Sequence, residues 1–210
     1  MFIRVTRIEN SPDRVEQGIA TYKEQVVPQA RTMAGFAGAI LLVDRSSGAA
    51  ASVTFWESED AMRASEARAD TIRTQTVQTG GGRLVEVDRF ELVMQERSAP
   101  PQANTFTRVN DVQGSPERLE DAIRFMREEG PRATKQLRGF RALLMAVNRQ
   151  SGRFLVSSVW ESASDRDASN AAVSDLRRRL GQIAGAERVD LYQYEVAFAE
   201  VSQAAAAGTR

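Results

Sequence analysis

Phe55-Trp56-Glu57-Ser58 returns 104 residues later as Val159-Trp160-Glu161-Ser162, and these two stretches hold the only tryptophans of the 210-residue chain. The register extends outward in both directions. Sliding the chain on itself by 104 sets Phe2, Arg4 and Val5 on Phe106, Arg108 and Val109, and Ser11-Pro12 on Ser115-Pro116. It also sets Gly35-Phe36 on Gly139-Phe140, Ser47-Gly48 on Ser151-Gly152, and Glu91 on Glu195. With no gap, 26 of the 91 pairs between residues 2–92 and 106–196 are identical. A period this long exceeds the roughly 20–50 residues of a solenoid unit, so it marks a duplicated domain.

Within each copy the local signals come in one order. Residues 2–8 and 106–112 alternate as strands, placing Phe2, Arg4, Thr6 and Ile8 on one face, and Phe106, Arg108, Asn110 and Val112 on its counterpart. Ser11-Pro12 and Ser115-Pro116 then suit a helix N-cap followed by proline at the first helical position. Val15, Ile19, Tyr22 and Val26 recur at helical spacing, as do Leu119, Ile123 and Met126. Pro28 and Pro131 predict a kink or break in each of these helices. Residues 36–56 and 140–160 read as hairpins turning at Ser47-Gly48 and Ser151-Gly152. Ser58 and Ser162 open second helices, Ser162 with Asp165 in a capping-box position, and final strands are expected over Leu84–Val93 and Arg188–Ala197.

This order is β-α-β-β-α-β, the ferredoxin-like arrangement, in an α+β fold. A four-stranded sheet with helices on one face leaves its other face apolar and uncovered. The expected architecture is therefore two tandem ferredoxin-like domains packed sheet to sheet as a pseudo-dimeric α/β barrel. The domains are expected over residues 1–94 and 105–200, joined by a polar, proline-bearing linker at 95–104, with a disordered tail at 201–210.

Composition narrows the function. Lys+Arg and Asp+Glu are both 28, so no global field draws in nucleic acid or an anionic membrane. The run Arg177-Arg178-Arg179, in a helix with Asp175, reads as a solvated face. The chain has no cysteine and no histidine, which excludes disulfides, thiolate chemistry and any Ser-His-Asp triad, and removes the commonest metal ligand. No metal site and no cofactor are expected. No apolar run approaches a membrane span and the start has no apolar signal core, so a soluble cytoplasmic protein is expected. Its expected partner is a small molecule, and the two copies are expected to form an intramolecular pseudo-dimer, alone or paired again as a homodimer.

Gly-Phe opening the second strand, Asp44-Arg45-Ser46-Ser47-Gly48 at the hairpin and Phe55-Trp56-Glu57-Ser58-Glu59-Asp60-Ala61-Met62 at the entry to the second helix resemble the antibiotic biosynthesis monooxygenase family of dimeric α/β-barrel proteins. The resemblance covers both copies. It implies a pocket between sheet and helices and either of two activities, cofactor-independent oxygenation of polycyclic quinol-type aromatics or haem degradation. In the haem-degrading branch the functional residues are an Asn on strand 1, a Trp on strand 3 and a His on helix 2. Asn110 stands where that Asn would and Thr6 takes its place in the first copy, while Trp56 and Trp160 match the Trp. Helix 2 offers Ser65-Glu66 and Ser169-Asn170 near the His position.

Asn110, Trp56 and Trp160 are accordingly the catalytic candidates, with Arg4, Arg108, Thr6 and Tyr22 as substrate-binding candidates. Each has a plain alternative. The indoles can be core, the arginines can reach solvent from a strand end, and Tyr22 can pack within helix 1. Two functions stay open: a cofactor-independent monooxygenase acting on a small aromatic or quinol-type molecule, and a non-catalytic binding or regulatory module on the same fold.

Overall fold

The computed structural model describes residues 1–80, 82–202 and 205, with Thr79 and Gly80 as backbone. The first repeat supplies β1 (Phe2–Glu9), α1 (Val15–Thr21), α2 (Val27–Arg31), β2 (Phe36–Val43), β3 (Ala49–Trp56), α3 (Glu59–Ala64), α4 (Glu66–Gly80) and β4 (Arg83–Arg97). The second supplies β5 (Phe106–Gln113), α5 (Leu119–Thr134), β6 (Phe140–Val147), β7 (Arg153–Trp160), α6 (Ala163–Ala172), α7 (Ser174–Ala184) and β8 (Arg188–Val201). The fold is α+β, each repeat has the ferredoxin-like order, and the strands hydrogen-bond in the closed barrel order β1-β3-β2-β8-β5-β7-β6-β4. Among the described residues no helix is long and apolar enough to cross a membrane.

Two compact units emerge, and neither is one repeat alone. The first unit joins Met1–Arg89 to Pro101–Asn104 and residues 194–202, and the second joins Phe90–Pro100 to Thr105–Gln193. The final strands explain this division. The end of β8 pairs with β2 from Val43↔Glu195 to Gly38↔Val201, and the end of β4 pairs with β6 from Glu91↔Val147 to Arg97↔Ala142. These ladders carry both strands past the lengths marked in the sequence, because the added backbone groups find partners there. Matching ion groups follow the exchange. In the first unit Arg45 binds Glu16, and its Nε donates to Glu195 at 2.8 Å. In the second, Arg149 binds Glu120, and its Nε donates to Glu91 at 2.6 Å.

The repeats share their sheet register. Phe2 faces Trp56 across β1 and β3 as Phe106 faces Trp160 across β5 and β7. Gly48 has φ +80°, and a Cβ there would lie 2.0 Å from the Asn10 carbonyl oxygen, so the hairpin excludes any side chain. Ser58 and Ser162 cap α3 and α6, accepting from the Ala61 and Asp165 backbone N–H groups at 3.1 and 3.0 Å. Ser11 and Ser115 stand at the start of 3-10 turns, but their hydroxyls make no cap bond.

The prolines act differently in the two copies. Before Pro28 the helix widens into a π turn at Tyr22–Val26, where the Val27 N–H reaches the Tyr22 carbonyl five residues back. Pro131 does not break its helix in two, and α5 continues past it to Thr134. It strips one bond from the last turn of a helix whose Leu119, Ile123, Phe125 and Met126 are buried in the core, and Thr134 Oγ1 donates to the Gly130 carbonyl at 2.8 Å. The second unit's core also buries Met94, Leu143, Phe154, Trp160 and Leu180. That of the first gathers Val15, Ile19, Tyr22, Val27, Leu41 and Ala197. Of the expected disordered tail, Val201 ends β8, and residues 203, 204 and 206–210 lie outside the described residues.

Candidate functional site

Strand alternation sets Arg4, Thr6 and Ile8 toward the helices of the first unit, and Arg108, Asn110 and Val112 toward those of the second. Each unit holds a cavity there, and the two occupy corresponding positions. The first has a volume of about 90 Å³, with Thr6, Tyr22, Ser52, Ile72, Arg73 and Val77 on its wall. The second has about 310 Å³, with Asn110, Met126, Val156, Leu176, Arg177 and Gly181 at the same six places. Arg178, Leu180, Val189 and Leu191 complete part of its wall.

Substitutions between the copies account for the different chemistry. In the first cavity the Tyr22 hydroxyl and Ser52 Oγ are 2.9 Å apart, at the start of the π turn. Met126 and Val156 replace that hydrogen-bonded pair in the second, and Gly181 removes the side chain that Val77 contributes to the first. Asn110 Nδ2 donates to the Val156 carbonyl at a long 3.4 Å, which leaves most of the amide's bonding capacity to a ligand.

Burial raises the Tyr22 hydroxyl well above the ordinary tyrosine range, with the Ser52 bond acting weakly the other way. A folded-state pKa raised above the unfolded one gives stability that is complete below the unfolded value of about 10 and is lost as pH rises toward the folded value. Tyr22 is therefore expected to stay neutral until the protein unfolds in alkali. In an absorbance titration of tyrosinate, Tyr22→Phe should remove one alkaline step that coincides with unfolding and leave the earlier part of the curve in place. A Tyr22 that ionises reversibly near pH 10 would contradict its burial.

The arginines and tryptophans named from the sequence sit elsewhere. Arg4 donates to the Met62 carbonyl at 2.6 Å and to Ser65 Oγ at 2.7 Å, with its guanidinium 5.1 Å from the Trp56 ring centre. Arg108 repeats this, donating to the Arg166 carbonyl and to Ser169 Oγ at 3.1 Å. Both arginines tie strand to helix from inside the core. Burial lowers Arg4 to about 10, with Glu66 opposing it. Trp56 and Trp160 are 1% and 0% exposed. Their indole N–H groups donate to Thr54 Oγ1 and Ser158 Oγ, both at 3.0 Å, and their rings meet Phe36 and Phe140 edge to face. Of the candidates, then, Thr6 and Tyr22 stand on the first cavity and Asn110 on the second, while Trp56, Trp160, Arg4 and Arg108 stand on neither wall.

Sequence reasoning passed over Arg73 and Arg177, which are identical between the copies and line the two cavities. Arg177 opens the run taken for a solvated face, and only helical phase separates it from its neighbours. Arg178 also borders the second cavity but is exposed and paired to Asp175, and Arg179 lies 4.8 Å over the Phe125 ring. Among the described residues neither cavity wall carries a carboxylate or a histidine, and no cluster of acidic side chains has metal-ligand geometry.

Comparison with known proteins bears out the family resemblance. The model of the antibiotic biosynthesis monooxygenase family matches residues 1–76, most of the first repeat. Two uncharacterized proteins of Mycobacterium tuberculosis are 29% and 28% identical over 202 and 205 residues, covering 96% of this chain and 85% and 89% of their own. A solved anthrone oxidase-like protein superposes with a TM-score of 0.71 at 14% identity, over 96% of this chain and 94% of its own. An uncharacterized ferredoxin-fold protein of Listeria monocytogenes related to antibiotic biosynthesis monooxygenases superposes at 0.55 with 10% identity, over 93% and 94% of the two chains. These two structural likenesses are likenesses of fold.

Proposed function

We propose, starting from an antibiotic biosynthesis monooxygenase-type first repeat, that the chain is a cofactor-independent monooxygenase for a small aromatic or quinol-type molecule, with its working site in the second repeat. The observation that carries this is the second cavity. Its 310 Å³ lies at the low end of the roughly 300–1,000 Å³ typical of ligand pockets, whereas the first cavity's 90 Å³ falls below that range. Its wall is mostly aliphatic, as a flat aromatic ring requires, and Asn110 offers both a donor and an acceptor to a substrate hydroxyl. In this reading the substrate's own delocalised anion reduces oxygen, and the protein supplies position and electrostatics.

Oxygen uptake with anthrone- and quinol-type compounds tests this. Asn110→Ala is expected to lower kcat/KM about 10²-fold, the order of losing one oxyanion donor. A loss of that size from Thr6→Ala, with Asn110→Ala silent, would move the chemistry to the first repeat. The wall's lack of any carboxylate or histidine favours a second reading, a binding or regulatory module without catalysis, since no side chain there can act as a base at neutral pH. Saturable ligand binding without oxygen uptake would support that module.

A further inference from the structure

The two cavities differ in how their shared arginine is neutralised. In the first unit Arg73 is held by Glu66 at 2.6 Å and Asp70 at 3.3 Å, and Glu66 also meets Arg4 at 3.2 Å and Arg89 at 2.7 Å. Burial alone would raise the Glu66 carboxyl, but Arg89, Arg73 and Arg4 hold it below its ordinary range. One carboxylate thus serves the whole basic cluster. In the second repeat that position is Asn170, and Asp70 is replaced by Ser174.

Arg177 therefore meets only the Asn170 side-chain oxygen at 2.5 Å and the Asn170 carbonyl at 3.3 Å. Among the described residues neither Arg177 nor Arg108 has a carboxylate within ion-pair distance. The acidic side chains nearby are already engaged, Asp167 by Arg166 at 2.9 Å and Asp175 by Arg178. Burial lowers the Arg108 pKa first, and the charges of Arg177 and Arg166 lower it further, with Asp167 opposing them.

We propose that the second cavity selects an anion, a small apolar molecule with one oxyanionic group, carboxylate or phenolate, that pairs with Arg177. This rests on the reading that the second cavity binds a small molecule, and it names what that molecule must carry. A half-buried guanidinium with only amide oxygens for partners keeps most of its capacity for a charge-assisted hydrogen bond, and the aliphatic wall strengthens that bond by excluding water. The exchange of Glu66 for Asn170 is the specificity switch. Where the carboxylate is present it competes for the arginine, and where it is absent a ligand's anion takes its place.

The experiment is calorimetric titration with 2-naphthoate and its neutral analogue 2-naphthamide. Wild type should bind naphthoate roughly tenfold to a hundredfold more tightly, the range for one charge-assisted bond. Asn170→Glu, which installs the first repeat's carboxylate, should remove that preference while leaving naphthamide affinity in place. Arg177→Gln should also remove the preference for naphthoate, and thermal denaturation of both variants checks that they fold. Equal wild-type affinity for the two probes would overturn the anion inference and leave the cavity reading standing, as would a preference that survives both substitutions. If neither probe binds wild type, the cavity reading fails and this inference fails with it.

Discussion

Trp160→Ala is expected to lower the free energy of unfolding by about 4 kcal/mol, within the range for deleting a fully buried large aromatic. For a chain of this size that corresponds to a fall in melting temperature of roughly 8–16 °C. The side chain is wholly buried beside Phe140 in the second unit's core, and close-packed surroundings cannot collapse into a hole of that size without disturbing β6 and β7. Its edge-to-face contact with Phe140, at 5.7 Å between ring centres, is lost with it. Trp160→Phe should cost less, about 1–2 kcal/mol, because most of the apolar area survives and only Ser158 Oγ loses its donor. Equilibrium denaturation measures both. An unchanged midpoint for the alanine variant would mean that the indole does not hold the core.

Gly181→Val should empty the second cavity of ligand while sparing the fold. The substitution copies Val77 of the first repeat. A Cβ at Gly181 would lie 3.7 Å from the Ala186 Cβ, an ordinary contact, so the backbone accepts it. Valine is also a slightly better helix former than glycine, so the melting temperature should hold or rise a little. The branched methyls project into the space that Gly181 leaves open in the second cavity. Overpacking costs of about 1–3 kcal/mol imply that naphthamide affinity falls by roughly tenfold to a hundredfold. Unaltered affinity in a folded variant would place the ligand elsewhere.

Much of the fold was legible because its signals are local. The repeat, the strand and helix order, the turns at Gly48 and Gly152 and the caps at Ser58 and Ser162 each depend on a few adjacent residues. The exchange of strand ends was not. Residues 91–97 and 195–201 alternate in the same way whichever sheet they join, so pattern cannot say which edge they pair with. Pro131 does not break its helix in two, because packing of a buried helix face outweighs one missing bond. At the site, a buried Trp next to a pocket and a Trp lining it look alike in sequence, and cavity shape alone distinguishes them. The loss of Glu66 at Asn170 was visible from the start, but it gained meaning only once Arg73 and Arg177 were seen on the cavity walls.

The central claim is that a ligand enters the second repeat's cavity and not the first's. Methyl-selective NMR on protein labelled at methionine and isoleucine tests it directly, because Met126 lines the second cavity and Ile72 lines the first. On titration with 2-naphthamide the Met126 ε-methyl resonance should shift through the aromatic ring current and saturate, while the Ile72 δ1-methyl stays in place. A saturating shift at Ile72, or none at Met126 while calorimetry shows binding, would contradict the account.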